Sequence, residues 1–196
     1  MKSLTLCVLC LGVASVTAVA QDLDRGIDQY RKNDYAGAVS TLRKVVESDQ
    51  GNARANLYLG LALIEQNKAG DAEPFIAKAD ELSPSGETKA GKARLYVAQK
   101  NSEAADAALK EAEGEEVPYV RGLLELDRKQ YADAARDFES YAESHPDHAY
   151  AHYYAGMAYN GMKRPDKMLT HFQLFLKMKP DAPEARKVQA VVGAAR

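Results

Sequence analysis

The chain contains few of the residues that usually supply chemistry or cross-links. It has no tryptophan, and its two cysteines, Cys7 and Cys10, both lie among the first ten of 196 residues. Because the rest of the chain has no thiol, a disulfide, a cysteine–metal site and a cysteine nucleophile are excluded from it. The glycine-rich patterns that bind nucleotide phosphates and the Gly-x-Ser-x-Gly pattern of hydrolases are also absent. The sequence therefore predicts a protein that is not an enzyme and that needs no cofactor.

Neither sign of charge is in large excess. Lysine and arginine total 26 against 28 aspartates and glutamates, which gives a formal net charge of −2. Nucleic acids and anionic membrane surfaces both attract clustered cations, so neither is an expected partner. Beyond the N-terminus, no apolar run approaches the roughly 20 residues that a membrane-spanning helix needs.

The N-terminus has the pattern of a secretory signal. Lys2 precedes a mostly apolar stretch from Leu4 to Val16, and Ala18-Val19-Ala20 has the small side chains that a signal peptidase accepts. We therefore expect residues 1–20 to be a signal peptide, cleaved before Gln21, and the remaining chain to be exported to a bacterial periplasm or secreted. The alternative is an uncleaved anchor, in which case the chain would contact the membrane only through this segment.

The remaining sequence repeats with a regular period. At five places a small residue is followed twelve positions later by an apolar one, inside a second amphipathic stretch. The first members of successive pairs are 34, 33, 29 and 34 residues apart, a period that is typical of stacked two-helix units. Each small residue is expected to face its partner where the two helices cross. The pairs are Gly26/Ala38, Gly60/Ala72, Ala93/Ala105, Gly122/Ala134 and Gly156/Met168.

The second unit shows this pattern most clearly. Leucines and an isoleucine flank Gly60 in a predicted first helix, and Lys68-Ala69-Gly70 supplies a turn. Phe75 and Ile76 then lie on the apolar face of a predicted second helix. Pro84, which has no backbone N–H to continue a helix, ends the unit.

These residues resemble the tetratricopeptide repeat, whose unit has small residues at its eighth, twentieth and twenty-seventh positions and a proline near its end. The resemblance runs from about Gln21 to Pro180 and implies an all-α fold, an α-solenoid of about five helical hairpins in a single domain, residues 21–196. The acidic segment Glu113–Glu116 stands where a longer helix would run, so a trimmed helix is expected there. The units are expected at about residues 21–52, 53–85, 86–117, 118–148 and 149–180, with a capping helix over 181–193.

The segment after Pro180 predicts that capping helix. Asp181 is the expected N-cap, and Glu184 follows three residues later. The three valines from Val188 to Val192 are expected to face inward. Such a helix would cover the apolar end of the last hairpin, as stacked repeats require.

The resemblance also implies a binding groove. First helices line the concave face of tetratricopeptide folds, so residues at fixed steps from each small position are expected to contact a protein or peptide partner. Their apolar and aromatic character favours an amphipathic helix or an extended peptide, although the leucines fit a core position equally well. The implied function is a protein-interaction scaffold or adaptor of the cell envelope. The expected groove residues are Arg54, Leu57, Tyr58, Leu61, Arg94, Tyr119, Leu123, Tyr150, Tyr153, Tyr154 and Met157.

A histidine cluster provides an alternative hypothesis. His148 and His152 are four residues apart, a spacing that could place both on one metal ion, with His145 nearby. This would give the chain a metal-binding or hydrolytic role. However, the spacer Ala149-Tyr150-Ala151 lacks the glutamate of a zinc protease, and Pro146-Asp147 marks a turn and a helix start, so a solvated cluster is the favoured interpretation. Self-association through the last units is a third hypothesis.

Overall fold

The regular structure of the chain is helical throughout the part that is described. A computed structural model describes the backbone of residues 5–194 and the side chains of residues 18–194, and it contains no strand within them. The all-α class predicted from the sequence is therefore confirmed. The helices are α1 Thr5–Arg31, α2 Tyr35–Ser48, α3 Ala53–Glu65, α4 Ala69–Leu82, α5 Gly86–Ala98, α6 Ser102–Leu109, α7 Val117–Asp127, α8 Tyr131–Ser144, α9 Ala149–Gly161, α10 Pro165–Met178 and α11 Ala185–Ala194.

The chain divides into two compact units. Met1–Pro84 contains α1 to α4, and Ser85–Arg196 contains α5 to α11. In the first unit each helix packs on the next, and the same holds in the second unit, where α11 packs on α10. The first unit therefore consists of two stacked hairpins, and the second of three hairpins followed by a C-terminal helix. Within each unit this is the stacking of α-solenoid hairpins that the repeat pattern predicts.

The first helix continues through the predicted cleavage position. α1 is a single helix from Thr5 to Arg31. Residues 1–4 and the side chains before residue 18 lie outside the described part of the chain, so cleavage before Gln21 stays a prediction. Cleavage would shorten α1 to Gln21–Arg31, which has the same length as the 11-residue helix α7. Ile27 and Tyr30, which α1 buries, would remain in place.

The C-terminal helix begins later than predicted. Residues 181–184 form turns and α11 begins at Ala185, so the assignment of Asp181 as its N-cap is wrong. Pro183 explains the delay, because a proline disfavours the helical conformation of the residue before it. Val188 and Val192 are buried, as expected of a capping helix, whereas Val191 is only partly buried.

The helices of four hairpins approach each other over a glycine, and the nearest side chain lies sixteen residues later. A Cβ atom added to Gly26 would lie 2.6 Å from Leu42, and one added to Gly60 would lie 2.6 Å from Ile76. The predicted partner of Gly60 also takes part in this contact, since the added Cβ lies 3.3 Å from the carbonyl oxygen of Ala72, but the larger side chain one turn further along fills the space that a missing Cβ leaves. The same relation joins Gly122 to Phe138 and Gly156 to Phe172.

All five hairpins turn through the same backbone motif. One residue in each turn has a positive φ, between 57° and 61°. The amide of the next residue donates to the carbonyl five residues earlier, as in Lys68 to Leu63 at 3.0 Å and Arg164 to Tyr159 at 2.9 Å. This arrangement satisfies carbonyls at the helix end and reverses the chain. The left-handed residues are Asn33, Asn67, Lys100, Lys129 and Lys163.

The third hairpin is trimmed, as the sequence predicts. Its second helix, α6, has only 8 residues. The acidic loop that follows returns to the start of α5, where the Glu113 amide donates to the Gly86 carbonyl at 3.0 Å. Arg128, at the end of α7, pairs with Asp106 of α6 through Nη1 and Oδ1 at 3.0 Å. The short spacing between the third and fourth units thus reflects a shortened helix inside an intact array.

The glycine contact gives a direct test of this packing. We expect Gly60→Ala to lower the free energy of unfolding by about 1–3 kcal/mol, because the new methyl group overlaps Ile76. Gly70→Ala is the matched control, since nothing lies within 4 Å of its added Cβ in α4. That variant should be about 0.5 kcal/mol more stable than the parent chain. Urea unfolding followed by circular dichroism measures both, and equal effects would contradict the packing.

Candidate functional site

Several of the predicted groove residues lie in the cores of their units. Leu57 and Tyr119 are each 1% exposed, and Arg94 is 5% exposed. They are buried because neighbouring first helices pack side by side: the ring of Tyr58 on α3 meets that of Tyr30 on α1 edge to face, with centroids 5.5 Å apart. These side chains form contacts between helices and do not line a free surface. The buried members are Leu57, Tyr58, Leu61, Arg94 and Tyr119.

Tyr119 lies at the centre of the core of the second unit. Its ring centroid is 4.9 Å from that of Tyr141, 4.8 Å from that of His148 and 5.8 Å from that of Phe138. The guanidinium carbon of Arg94 lies 4.4 Å from the ring centroid. A cation held over an aromatic face away from water is attracted strongly to it. Tyr119 therefore joins α5, α7, α8 and the start of α9, which is a structural role.

A second group of predicted groove residues remains accessible on α9. Its members are Tyr150, Tyr153, Tyr154 and Met157, which we call the α9 face. The three tyrosines are partly buried, and Met157 is 36% exposed. The ring centroids of Tyr150 and Tyr153 are 6.0 Å apart, and those of Tyr153 and Tyr154 are 5.1 Å apart. Leu123 of α7 packs against the buried core of the same unit. The structure thus brings the three predicted tyrosines together, and Met157 follows one turn later on the same side of α9.

The α9 face is supported from beneath and fixed at one end. The Tyr153 ring lies over α10, with its centroid 5.1 Å from that of Phe175 and 6.3 Å from that of Phe172. The Tyr150 hydroxyl donates to Glu184 Oε2 at 3.1 Å. Burial raises the pKa of Tyr153, and the negative charge of Glu184 adds to this effect. The Tyr153 hydroxyl therefore stays protonated near neutral pH and is a donor next to an apolar surface.

Two of the three histidines of the alternative hypothesis, His145 and His148, pack on the same ring, that of Tyr141, whereas His152 does not. His145 stacks on Tyr141 with centroids 4.2 Å apart. His148 is buried, and its Nδ1 accepts from the Ala151 amide at 3.1 Å as the N-cap of α9. His152 points to a different neighbour on α10. Among the described residues, no group of three or more His, Cys, Asp or Glu is placed to hold a metal ion.

The neighbour of His152 is His171, and a chain of polar contacts continues from there. The two Nδ1 atoms are 3.1 Å apart, so one ring donates and the other accepts. His171 Nε2 lies 3.3 Å from Glu139 Oε1, which Lys167 Nζ approaches to 3.2 Å. Burial alone would raise the pKa of Glu139, but hydrogen bonds from Tyr159, Lys167 and His171 hold it below its usual value. This network links α8, α9 and α10.

Sequence reasoning missed the contacts that join different helices. His171 is 19 positions from His152, and Glu184 is 34 positions from Tyr150. Neither pair has a local spacing that would reveal it. Arg54, another of the predicted groove residues, is exposed near the start of α3 in the first unit and is not part of the α9 face.

The family of the chain follows from its sequence as well as from its hairpins. The family model for the tetratricopeptide repeat matches residues 23–87 and 119–183. These two matches cover more than half of the chain, which therefore belongs to the tetratricopeptide repeat family. The segment between them contains the trimmed third hairpin, α5 and α6. Proteins of this family bind other proteins or peptides, and the fold supports a role as a protein-interaction scaffold.

Solved structures show the same fold at low sequence identity. TTC0263, a tetratricopeptide protein of Thermus thermophilus, has a TM-score of 0.65 at 16% identity, covering 90% of this chain and 98% of its own. YrrB, a tetratricopeptide protein with an unusual peptide-binding site, has a TM-score of 0.50 at 19% identity, with coverages of 86% and 90%. A tetratricopeptide protein of Parabacteroides merdae has a TM-score of 0.50 at 18% identity, with coverages of 91% and 73%. No curated protein sequence matches the chain.

Burial of the histidines predicts that the second unit loses stability in acid. Burial lowers the pKa of His148 to about 3, and the charge of Arg94 acts in the same direction. Burial also lowers the pKa values of His152 and His171. Each folded-state pKa is below that of the unfolded chain, about 6.5. The stabilisation is therefore complete above about pH 6.5 and is lost as the pH falls toward the folded-state values.

His148→Asn isolates one contribution. Asparagine keeps an acceptor for the N-cap but does not titrate, so the variant should lose about 2 kcal/mol less stability than the parent chain between pH 7.5 and pH 5. Glu125 makes the opposite contribution to the pH dependence of stability. Burial, and then the charges of Asp137 and Asp133, raise its pKa to about 7. Glu125 is present in the parent chain and in the variant, so its contribution cancels when their two pH dependences are subtracted. Chemical unfolding at both pH values is the measurement, and identical pH dependences would contradict the assignment.

Proposed function

We propose that this chain is a non-enzymatic, exported adaptor of the bacterial cell envelope, and that it binds an amphipathic helix or an extended segment of a partner protein along the α9 face. The coarser role, a protein-interaction scaffold, follows from the family. The α9 face, the type of partner and the envelope location are the parts that we infer.

The observation that carries this proposal is the exposure of Met157. Only Leu82 and Met157 are exposed among the large apolar side chains of the described residues, at 37% and 36%. Leu82 is the last residue of α4. Met157 instead follows three aromatic side chains on α9, with further apolar residues beneath them. An exposed apolar side chain in such a setting is typical of a binding surface.

The chemistry of the α9 face favours a partly apolar polypeptide. Tyrosine and methionine are enriched where proteins bind each other, because their large side chains lose little conformational freedom or adapt to different shapes. The Tyr153 hydroxyl would supply a hydrogen bond to a partner backbone. YrrB shows that a protein of this fold can carry a peptide-binding site. A helix with one apolar side, or an extended chain with alternating apolar residues, would match this surface.

The proposal of export depends on the N-terminal pattern. A short cationic region, an apolar stretch and small residues before Gln21 are the features of a cleaved secretory signal. Within the described part of the chain, no helix combines the length and the apolar character that crossing a bilayer requires. The absence of cysteine after Cys10 is compatible with export, because the exported chain would need no disulfide to fold.

Met157→Glu tests the α9 face, and Leu82→Glu is its matched control. Both variants place a carboxylate at an equally exposed apolar position, so both should fold with similar melting temperatures. We expect Met157→Glu to reduce the recovery of a specific partner from the native host by at least tenfold, because a buried, unpaired charge costs well over 1.4 kcal/mol. Quantitative mass spectrometry after affinity capture compares the variants, and equal recovery in both would contradict the proposal.

The N-terminus of the exported chain tests the proposed location. Mass spectrometry of the protein from the periplasm or medium of a bacterial host should give a chain that begins at Gln21. Ala20→Arg should block this cleavage, since the peptidase requires a small residue there, and precursor should accumulate. An intact N-terminus at Met1 in the parent chain would contradict cleavage and favour the membrane anchor.

A further inference from the structure

The last hairpin contains a pair of buried histidines that the proposed function does not use. His152 on α9 is 9% exposed, and His171 on α10 is 8% exposed. Their Nδ1 atoms face each other at 3.1 Å. Because the two rings belong to different helices, whatever lies between these nitrogens joins α9 to α10.

The second ring nitrogen of each histidine has its own acceptor. His171 Nε2 lies 3.3 Å from Oε1 of Glu139, whose low pKa keeps it an ionised carboxylate that can only accept, so this nitrogen carries a hydrogen. The His152 ring is hydrogen-bonded to the backbone of Pro146. Proline has no N–H, so its carbonyl accepts from the histidine, and because Nδ1 faces His171, Nε2 is the donor. In its neutral form each ring therefore keeps a lone pair on Nδ1.

Two lone pairs at this separation repel each other unless a cation lies between them. Without a metal ion one ring must donate to the other, and that ring then carries two N–H groups and a positive charge. Burial opposes this charge, since it lowers the pKa values of His152 and His171, and the charge of Lys167 also lowers that of His171. A metal ion instead binds the neutral imidazole, which is the form that burial favours.

The distance between the two nitrogens is suitable for one transition-metal ion. With metal–nitrogen bonds of about 2.0–2.1 Å, a separation of 3.1 Å corresponds to an angle of about 95–102° at the metal. This angle lies between the value of about 90° for adjacent octahedral or square-planar ligands and about 109° for a tetrahedron. Both rings could therefore bind the same ion with little movement of α9 or α10.

The outer contacts are those of histidines that bind metals. Such histidines donate their other N–H to a carboxylate or to a backbone carbonyl, and this bond fixes the tautomer and the orientation of the ring. Glu139 is the carboxylate for His171, and Pro146 provides the carbonyl for His152. The Tyr159 ring also stacks on His171, with centroids 5.6 Å apart. Both rings are thus held in place before any ion binds.

We propose that His152 and His171 bind one divalent transition-metal ion through their Nδ1 atoms, with water in the remaining positions, and that this ion cross-links α9 to α10. Imidazole nitrogens favour Zn²⁺, Ni²⁺ and Cu²⁺, whereas Mg²⁺ and Ca²⁺ prefer oxygen ligands. The site differs from the local cluster of His145, His148 and His152, with which it shares only His152. It does not depend on a partner at the α9 face.

Isothermal titration calorimetry of the full chain with Zn²⁺, Ni²⁺ and Mg²⁺ tests the site. Cys7 and Cys10 are replaced by serine in every chain, so that their thiols do not compete for the metal. We expect one equivalent of Zn²⁺ or of Ni²⁺ to bind, and Mg²⁺ not to bind. His152→Gln and His171→Gln should each lower the affinity at least tenfold, because each removes one of the two protein ligands. Glu139→Gln should lower it about tenfold through the orientation of His171.

Two variants serve as matched controls. His145→Gln removes a histidine that stacks on Tyr141, and Glu143→Gln removes an exposed carboxylate one turn after Glu139 on α8. Both should bind Zn²⁺ within twofold of the parent chain. Melting temperatures without metal show whether each variant is folded, and Zn²⁺ should raise the melting temperature of the parent chain but not that of His152→Gln.

Nuclear magnetic resonance provides a measurement that needs no substitution at the site. The chain has only four histidines, so long-range ¹H–¹⁵N spectra resolve their ring nitrogens. On addition of Zn²⁺ we expect the Nδ1 resonances of two rings to shift and those of the other two to stay in place. His145→Gln and His148→Asn identify the unshifted signals by their loss.

Each other outcome overturns the inference. Absence of Zn²⁺ and Ni²⁺ binding would mean that a proton joins the two rings. Binding that survives both His152→Gln and His171→Gln would show an adventitious ion only. Loss of binding in one of these two variants but not in the other, or a shift of a single ring, would contradict the bridge between the helices. An unchanged affinity in Glu139→Gln would contradict the positioning role of that carboxylate.

Discussion

The bare α-carbon of a glycine against a large side chain on the next helix is the contact on which four of the five hairpins depend. It allows the two helices to approach closely, and it recurs at the same step in four hairpins, as in Gly60 with Ile76 and Gly156 with Phe172. A repeated left-handed turn then sets the length of each hairpin. Because every hairpin buries only part of its apolar surface by itself, the next hairpin must cover the remainder. Stacking is thus a consequence of local geometry.

The same stacking separates enclosed side chains from accessible ones. Where first helices lie side by side, aromatic and cationic side chains such as Tyr119 and Arg94 are enclosed and stabilise the core. On α9 the covering is incomplete, and Met157 remains exposed above a layer of tyrosines. The last hairpin is followed by α11, which packs on α10.

The helices and turns were accessible from the sequence because they depend on nearby residues. The period of the small residues, the turn segments and the shortened α6 are local features, and the structure agrees with them. The position of Tyr119 was not accessible, since its burial results from two neighbouring first helices whose lateral contact no periodicity records. The pairing of His152 with His171 and the partner of Gly26 also depend on the register between helices. The sequence therefore predicts the helical hairpins more completely than it predicts which side chains stay accessible after the hairpins pack.

Site-specific photocrosslinking in the native host tests the central claim most directly. A benzophenone amino acid placed at position 157 reports which polypeptides touch the α9 face, and the same group at position 82 reports on an equally exposed apolar position of α4. The account predicts a discrete crosslinked partner at position 157 and none of that partner at position 82. Crosslinking of the same partner at position 82 but not at position 157 would contradict it.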